Sequence, residues 1–344
     1  MSSTIKKFLP KAIASAVLLA AAASAQAEQV TLRFHQMLPA PATIPRHAIK
    51  PWIEDVEKAS NGELKIKQYD AMALGGKPPE LFGQAKDGVV DLIWTVLGYT
   101  PGLFPKTEVF ELPFMTTNAL SSSKAIQAYV SKNAMDEFKD VQLICVHTHG
   151  AGMLHTASPI TKMEDMAGKK IRGGSRVIND MLTKLGATPV GMPVTSIAES
   201  LSKGVVDGTL LPWEVVPAFK IQQIVKNHTN FSGGAALYTS TFGVVMNKAK
   251  YASLNATQKA AIDKFSGQPC AERFGAAMDK GDEGSKALAV KAGNKLITID
   301  ATEQLRWERN AAAVADEWVG RSKAAGFDGA AMLNDAKTLI KQYQ

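Results

Sequence analysis

Hydrophobic and polar positions follow two periods along this chain, and the switch between them marks its elements. Short apolar or alternating runs at 30–34, 64–68, 91–95, 141–147, 169–172, 189–192, 205–207, 238–247 and 295–300 predict strands. Between them, apolar residues recur at helical spacing over 52–59 and 81–86, at Val177, Met181 and Leu185, and at Ile197, Leu201 and Val205. The stretch 168–212 is the clearest case. A strand ends on Arg172, Gly173 and Gly174 permit a sharp turn, Ser175 serves as helix N-cap, and Gly186 stops that helix. Ser196 and Glu199 then read as a capping box before the next helix. Strand–helix alternation of this kind predicts an α/β fold built on parallel sheets, with ligands in the crevice beyond the carboxyl ends of the strands. Arg172 and residues 209–213 both fall at such ends and can face one ligand.

The sequence Gly-Val-Val-Asp occurs at 88–91 and again at 204–207, each time closing a helix and opening a strand, which implies two lobes of similar build. The runs 141–147 and 238–247 are candidates to cross between them. Gly267 and Pro269 should break the helix begun near Thr257, and Trp307, Ala311, Val314 and Trp318 predict one late helix.

Residues 1–27 read as a secretory leader: Lys6, Lys7 and Lys11, an apolar run over 12–23, and Ala25-Gln26-Ala27 ahead of an expected cut before Glu28. The expected product is a freely diffusing periplasmic protein, since no later stretch approaches the roughly 20 apolar residues of a spanning helix. Without the three leader lysines the net charge of +7 becomes +4 over about 317 residues, length enough for two domains. So mild an excess, with no basic run interleaved with aromatics, argues against nucleic acid as a partner. Cys145 and Cys270 can pair in an oxidising compartment or stay as buried thiols, and their spacing does not decide.

The leader, Phe110-Glu111-Leu112-Pro113-Phe114, Gly168-Lys169-Lys170-Ile171-Arg172, Leu185-Gly186-Ala187-Thr188-Pro189-Val190, Met192-Pro193 and Gly204-Val205-Val206-Asp207-Gly208, in this order and spacing, resemble the solute-binding proteins of tripartite ATP-independent periplasmic (TRAP) transporters. The resemblance covers essentially the whole mature chain. It implies a two-lobe clamp hinged on crossing strands and a long helix, closing on one small carboxylate for delivery to membrane permease subunits. The implied lobes are 28–147 plus 237–276 and 148–236 plus 277–344. Arg172 stands where the family places the arginine that pairs with the ligand carboxylate. Three departures follow. Gly152 occupies about the place where acid-binding members often carry a second arginine, Leu211 precedes Pro212 where an asparagine is common, and Val194 replaces an aromatic after Met192-Pro193.

A pocket reduced to one arginine disfavours a second carboxylate, whose unpaired burial costs several kcal/mol. The expected ligand is therefore a monocarboxylate with an aromatic or branched apolar body. Arg172 would grip it, Trp213, Leu211, Val194 and Trp94 would wall it, and Gly152, Tyr238 and His35 complete the candidate set. The alternatives are a C4-dicarboxylate or sugar-acid receptor, for which Arg33 or Arg46 would supply a second cation, and a periplasmic α/β enzyme. No Gly-x-Ser-x-Gly, Walker, His-Glu-x-x-His or Gly-x-Gly-x-x-Gly motif supports the enzyme. Neither cofactor nor metal is expected. His147, His149 and His155 lack the carboxylate or cysteine companions of a metal set and read as hydrogen-bonded positions near the hinge. Glu214 reads as a partner of a neighbouring backbone group, a hinge residue or the empty arginine. The protein is expected to be a monomer.

Overall fold

A computed structural model describes residues 29–232 and 235–344, so the leader and its cleavage site lie outside the described residues. The strands are β1 (Val30–His35), β2 (Leu64–Tyr69), β3 (Leu92–Val96), β4 (Val141–Thr148), β5 (Met153–Thr156), β6 (Lys170–Gly173), β7 (Thr188–Gly191), β8 (Gly208–Leu211), β9 (Asn227–Phe231), β10 (Thr241–Asn247) and β11 (Lys295–Ile299). They form two sheets, ordered β2-β1-β3-β10-β4 and β11-β9-β5-β8-β6-β7. The neighbours β2-β1-β3 and β8-β6-β7 are parallel, as strand–helix alternation requires. Parallel pairing is not general, however. β10 runs antiparallel to β3 and β4, and β5 antiparallel to β8 and β9, because the chain reverses each time it passes from one sheet to the other.

The repeated Gly-Val-Val-Asp has one structural meaning in both sheets. Gly88 and Gly204 take positive φ, 75° and 68°, and end their helices. Asp91 Oδ2 then accepts the backbone N–H of Arg33 at 2.7 Å, and Asp207 Oδ2 that of Lys170 at 2.8 Å, pinning each incoming strand to its neighbour. The second copy also corrects the expected strand at 205–207. Val205 N bonds back to Ser200 O in the helix cap, so pairing in β8 starts only at Gly208. Nor does Ser196 form a capping box. A 3₁₀ turn, Val194–Ser196, precedes the helix Ile197–Ser202, leaving Ser196 already in helical conformation and without a side-chain cap bond.

Gly267, at φ 64°, turns the chain into the 24-residue helix Gln268–Lys291, with Pro269 in the first turn where its missing N–H costs nothing. This helix crosses Ala119–Asn133 closely at Gly275, where a Cβ would stand 2.8 Å from Ala119 O. Asp279 caps the crossed helix through the N–H groups of Ala119 and Leu120, at 2.7 and 2.8 Å. One turn on, Asp282 accepts Glu214 N at 2.7 Å, just past the end of β8. The one helix thus holds elements of both sheets. The late helix is two, Ala301–Ala311 and Ala313–Ala324, whose Trp307 and Trp318 are both buried.

Candidate functional site

Arg172 leaves the carboxyl-terminal half of β6 and lies between the ends of its two neighbours. Its Nε donates to Met192 O, just after β7, at 2.8 Å, and Nη1 to Leu210 O of β8 at 3.3 Å. Nη2 donates to the Tyr99 hydroxyl at 3.3 Å, and that oxygen also accepts Val194 N at 2.8 Å. Gly174 admits this arrangement, since a Cβ there would sit 3.1 Å from Nη2. The side chain is 4% exposed, yet no ion pair to it occurs among the described residues. Its hydrogen bonds go to neutral oxygens, which orient a guanidinium without neutralising it. Burial of an uncompensated cation is unfavourable, and an anion seated here would relieve it.

Beside Arg172 lies a small, tight cavity of about 40 Å³. Met37, Leu38, Trp94, Val96 and Tyr99 line it from the first sheet and the segments that follow its strands, Val194, Leu211, Pro212, Glu214 and Val215 from the second. His149, Tyr238, Ser240 and Phe242 close it from the crossing segments. Trp94 lies parallel to Phe242 with centroids 5.1 Å apart, and Phe242 to His147 at 4.9 Å, so β3, β10 and β4 contribute one aromatic layer. Trp94 Nε1 donates to His147 Nε2 at 2.8 Å, which spends its polar atom and leaves an apolar wall.

His149 does not add a second positive charge. Its Nε2 accepts Ser240 N at 3.0 Å, placing the ring proton on Nδ1, which faces Gly150 O at 2.7 Å. Burial lowers its pKa to about 4, the bond to Gly150 opposes that, and the charge of Arg172 lowers it further. Arg172 is therefore the cationic residue of the cavity lining.

Of the residues singled out from sequence, Arg172, Trp94, Leu211, Val194 and Tyr238 line this cavity, while Trp213, Gly152 and His35 do not. Trp213 packs on His155 and His228, with centroids 5.1 and 4.8 Å away. Gly152 leaves room for a neighbour: a Cβ there would meet the Tyr238 ring at 2.1 Å, so the aromatic fills the space of any side chain at 152. His35 faces Gln84 Oε1 at 2.8 Å and accepts Leu74 N at 3.3 Å. Arg33 pairs with Asp91 at the surface and Arg46 is exposed, so neither brings a second cation to the cavity. His155 and His228 meet through their Nδ1 atoms at 2.7 Å, and His155 Nε2 faces Leu211 O at 3.1 Å.

Sequence reading missed Tyr99, Phe242, Met37 and Leu38. Tyr99 was accessible to the rule that found Arg172, because it lies three residues past the end of β3. Its expected contribution is modest. Tyr99→Phe is expected to weaken ligand binding by about 2- to 10-fold, the worth of one neutral hydrogen bond, by freeing Arg172 Nη2 and Val194 N together. Calorimetric titration checks this, and affinity equal to wild type would remove Tyr99 from the site.

Further contacts join the parts that flank the cavity. Arg176 Nη2 meets Glu108 Oε2 at 2.7 Å. Glu111, in the Phe-Glu-Leu-Pro-Phe run, accepts Thr241 N and Oγ1 at 3.0 and 2.9 Å. Burial raises the Glu111 pKa to about 7, with the Ser175 hydroxyl and Thr241 acting to keep it charged. A larger groove bounded by Lys106, Glu137 and Phe327 holds no comparable feature, since Glu137 there is engaged by the N–H groups of Lys106 and Thr107.

A model of the DctP family, bacterial extracellular solute-binding protein family 7, matches residues 35–321. A TRAP solute-binding protein of Rhodoferax ferrireducens T118, crystallised with copurified benzoate, is 42% identical, with 92% of this chain and 98% of that one covered and a TM-score of 0.90. One from an unidentified marine microbe, specific for aromatic acid ligands and complexed with 3-hydroxybenzoate, is 43% identical over 92% and 100%, with a TM-score of 0.91. A third, from Bordetella bronchiseptica with bound (R)- and (S)-mandelate, is 30% identical over 92% and 100%, with a TM-score of 0.85.

Proposed function

The chain belongs to bacterial extracellular solute-binding protein family 7, and on that premise we propose that it captures a small aromatic monocarboxylate in the periplasm and delivers it to the membrane permease of a TRAP transporter. The observation that carries this reading is Arg172, a buried cation oriented by three neutral oxygens and facing a cavity walled by Trp94, Phe242 and Tyr238. Its planar fork suits a carboxylate, and the aromatic layer suits a ring. Two of the similar proteins hold benzoate and 3-hydroxybenzoate, and a third holds mandelate, all monocarboxylates on a ring. A dicarboxylate would bury a second charge opposite no second cation, at a cost of several kcal/mol.

The leader directs export, and the family's role is that of a solute-binding transport receptor rather than an enzyme. In this reading the lobes are 28–147 plus 237–276 and 148–236 plus 277–344. Ligand bridges them, and its preference for the closed form shifts the equilibrium that the permease senses. Tyr99 is the coupling element, since it follows β3 of one sheet and bonds Arg172 and Val194 of the other.

A thermal-shift panel tests the proposal. Benzoate, hydroxybenzoates and mandelate at 100 times their dissociation constants are expected to add about 2.7 kcal/mol of stability, while succinate and malate add none. Mass spectrometry is expected to recover the acid unchanged. Stabilisation by succinate with none by any aromatic acid would refute the ligand class.

A further inference from the structure

We infer that Glu214 is a second recognition point of the cavity, a neutral carboxylic acid that hydrogen-bonds a hydroxyl on the ligand body while Arg172 holds the carboxylate. The inference rests on the aromatic monocarboxylate reading and refines it.

Glu214 lines the same cavity as Arg172, is 5% exposed, and carries an Oε2 with no hydrogen-bond partner among the described residues. Its backbone is fully engaged: the N–H donates to Asp282 Oδ1 at 2.7 Å, and the carbonyl accepts the Thr43 hydroxyl at 3.2 Å. Gly281 leaves room for Thr43 and Glu214, since a Cβ there would fall 2.7 Å from Thr43 Cγ2 and 2.9 Å from Glu214 Cβ. A buried acid with an idle oxygen beside a cavity is costly unless something occupies that oxygen.

Protonation follows from the contrast with its neighbour. Asp282 accepts the Glu214 N–H at 2.7 Å, a bond that favours its carboxylate and opposes the burial that raises its pKa to about 7. Glu214 has burial first and then the Asp282 charge against ionisation, with the Thr43 hydroxyl opposing them, and its pKa rises to about 8. The charge of Arg172 acts on His149 and Tyr238, whereas the charge acting on Glu214 is that of Asp282. Arg172 enters the cavity from β6 and Glu214 from the turn after β8, so the two polar groups approach one guest from different elements. A neutral acid both donates and accepts, which matches a phenolic or alcoholic hydroxyl and offers no counter-charge to a second carboxylate.

Titration calorimetry with benzoate and its 2-, 3- and 4-hydroxy derivatives tests this on the full mature protein. Wild type is expected to prefer at least one hydroxylated isomer over benzoate by about 10-fold, the selectivity of a matched neutral hydrogen bond. Glu214→Gln, neutral and of the same shape, is expected to hold that ratio within about 3-fold, and Glu214→Leu to bring it to about one. A ratio near one in wild type, or one that survives in Glu214→Leu, overturns the inference while leaving the Arg172 reading intact. Failure of all four acids to bind wild type overturns both. Should Glu214→Leu not fold, a crystal structure of wild type with the preferred isomer decides: the ligand hydroxyl within hydrogen-bond distance of Glu214 supports the assignment, and its placement elsewhere refutes it.

Discussion

Arg172→Ala is expected to lose about 30-fold to several thousand-fold in affinity for the ligand carboxylate, corresponding to roughly 2–5 kcal/mol for one partner of an enclosed charge pair. The loss should be specific to binding. Among the described residues the guanidinium donates to Met192 O, Leu210 O and the Tyr99 hydroxyl but meets no carboxylate, so its removal forfeits neutral hydrogen bonds and relieves a buried charge without an internal counter-ion. These oppose each other, and the melting temperature without ligand is expected to stay within about 3 °C of wild type. Arg172→Lys makes a sharper point. It keeps the charge, yet a lysine cannot present two parallel donors while bonding two strand-end carbonyls, so it is expected to recover only part of the affinity. Calorimetry and thermal melts on the three proteins check the pattern. Binding by Arg172→Ala within about 3-fold of wild type would mean that the carboxylate is held elsewhere.

How far the site could be read from sequence depended on whether a residue's role is local. Arg172 is legible because a strand end, two glycines and a helix cap specify its position within a few residues. Trp213 is not. Past Pro212 the chain enters the 3₁₀ turn Trp213–Val215, where adjacent side chains diverge, and Glu214 lines the cavity while Trp213 packs on His155 and His228. No periodicity assigns one of two neighbours to a cavity when the turn between them is itself unforeseen. His35 ends β1 in the same way that Arg172 approaches the end of β6, but Gln84, far along the chain, takes up its ring. The stack of Trp94, Phe242 and His147 joins three strands distant in sequence, and only their register makes it one wall.

The fold divides along the same line. The parallel units β2-β1-β3 and β8-β6-β7 were visible because strand, helix and cap lie together, whereas the parallel pair β9-β11 and the bonds of Asp91 and Asp207 to their neighbouring strands were not. The antiparallel placement of β5 and β10 was not, since it depends on how the chain first enters the second sheet after a short crossing and where it returns to the first after the long excursion from Thr148 to Thr241. These crossings matter for function, because His149, Tyr238 and Ser240 lie on them and close the cavity. A residue at a crossing feels both sheets, which makes it a natural place for ligand contact and for motion to meet.

Removing the bond between Cys145 and Cys270 is expected to lower stability more than any change at the cavity. The two cysteines, on β4 and in the first turn of the helix Gln268–Lys291, are disulfide-bonded across a sequence separation of 125 residues. Closing a loop of that length restricts the unfolded chain by an entropy worth roughly 5 kcal/mol, with typical measured values of about 2–4 kcal/mol. At about 2–4 °C per kcal/mol, the Cys145→Ala/Cys270→Ala double variant should melt roughly 5–15 °C below wild type. Both positions are buried, and Gly267 N bonds to Ile144 O at 2.7 Å beside them, so the bond fastens the start of the spanning helix to β4. Neither cysteine lines the cavity, and at a temperature where the variant is folded its affinity for the acid is expected to stay within about 3-fold of wild type. Reductant should lower the melting temperature of wild type and leave the variant where it is. Equal melting temperatures for the two proteins under oxidising conditions would show that the bond does not form in the folded protein or adds nothing to it.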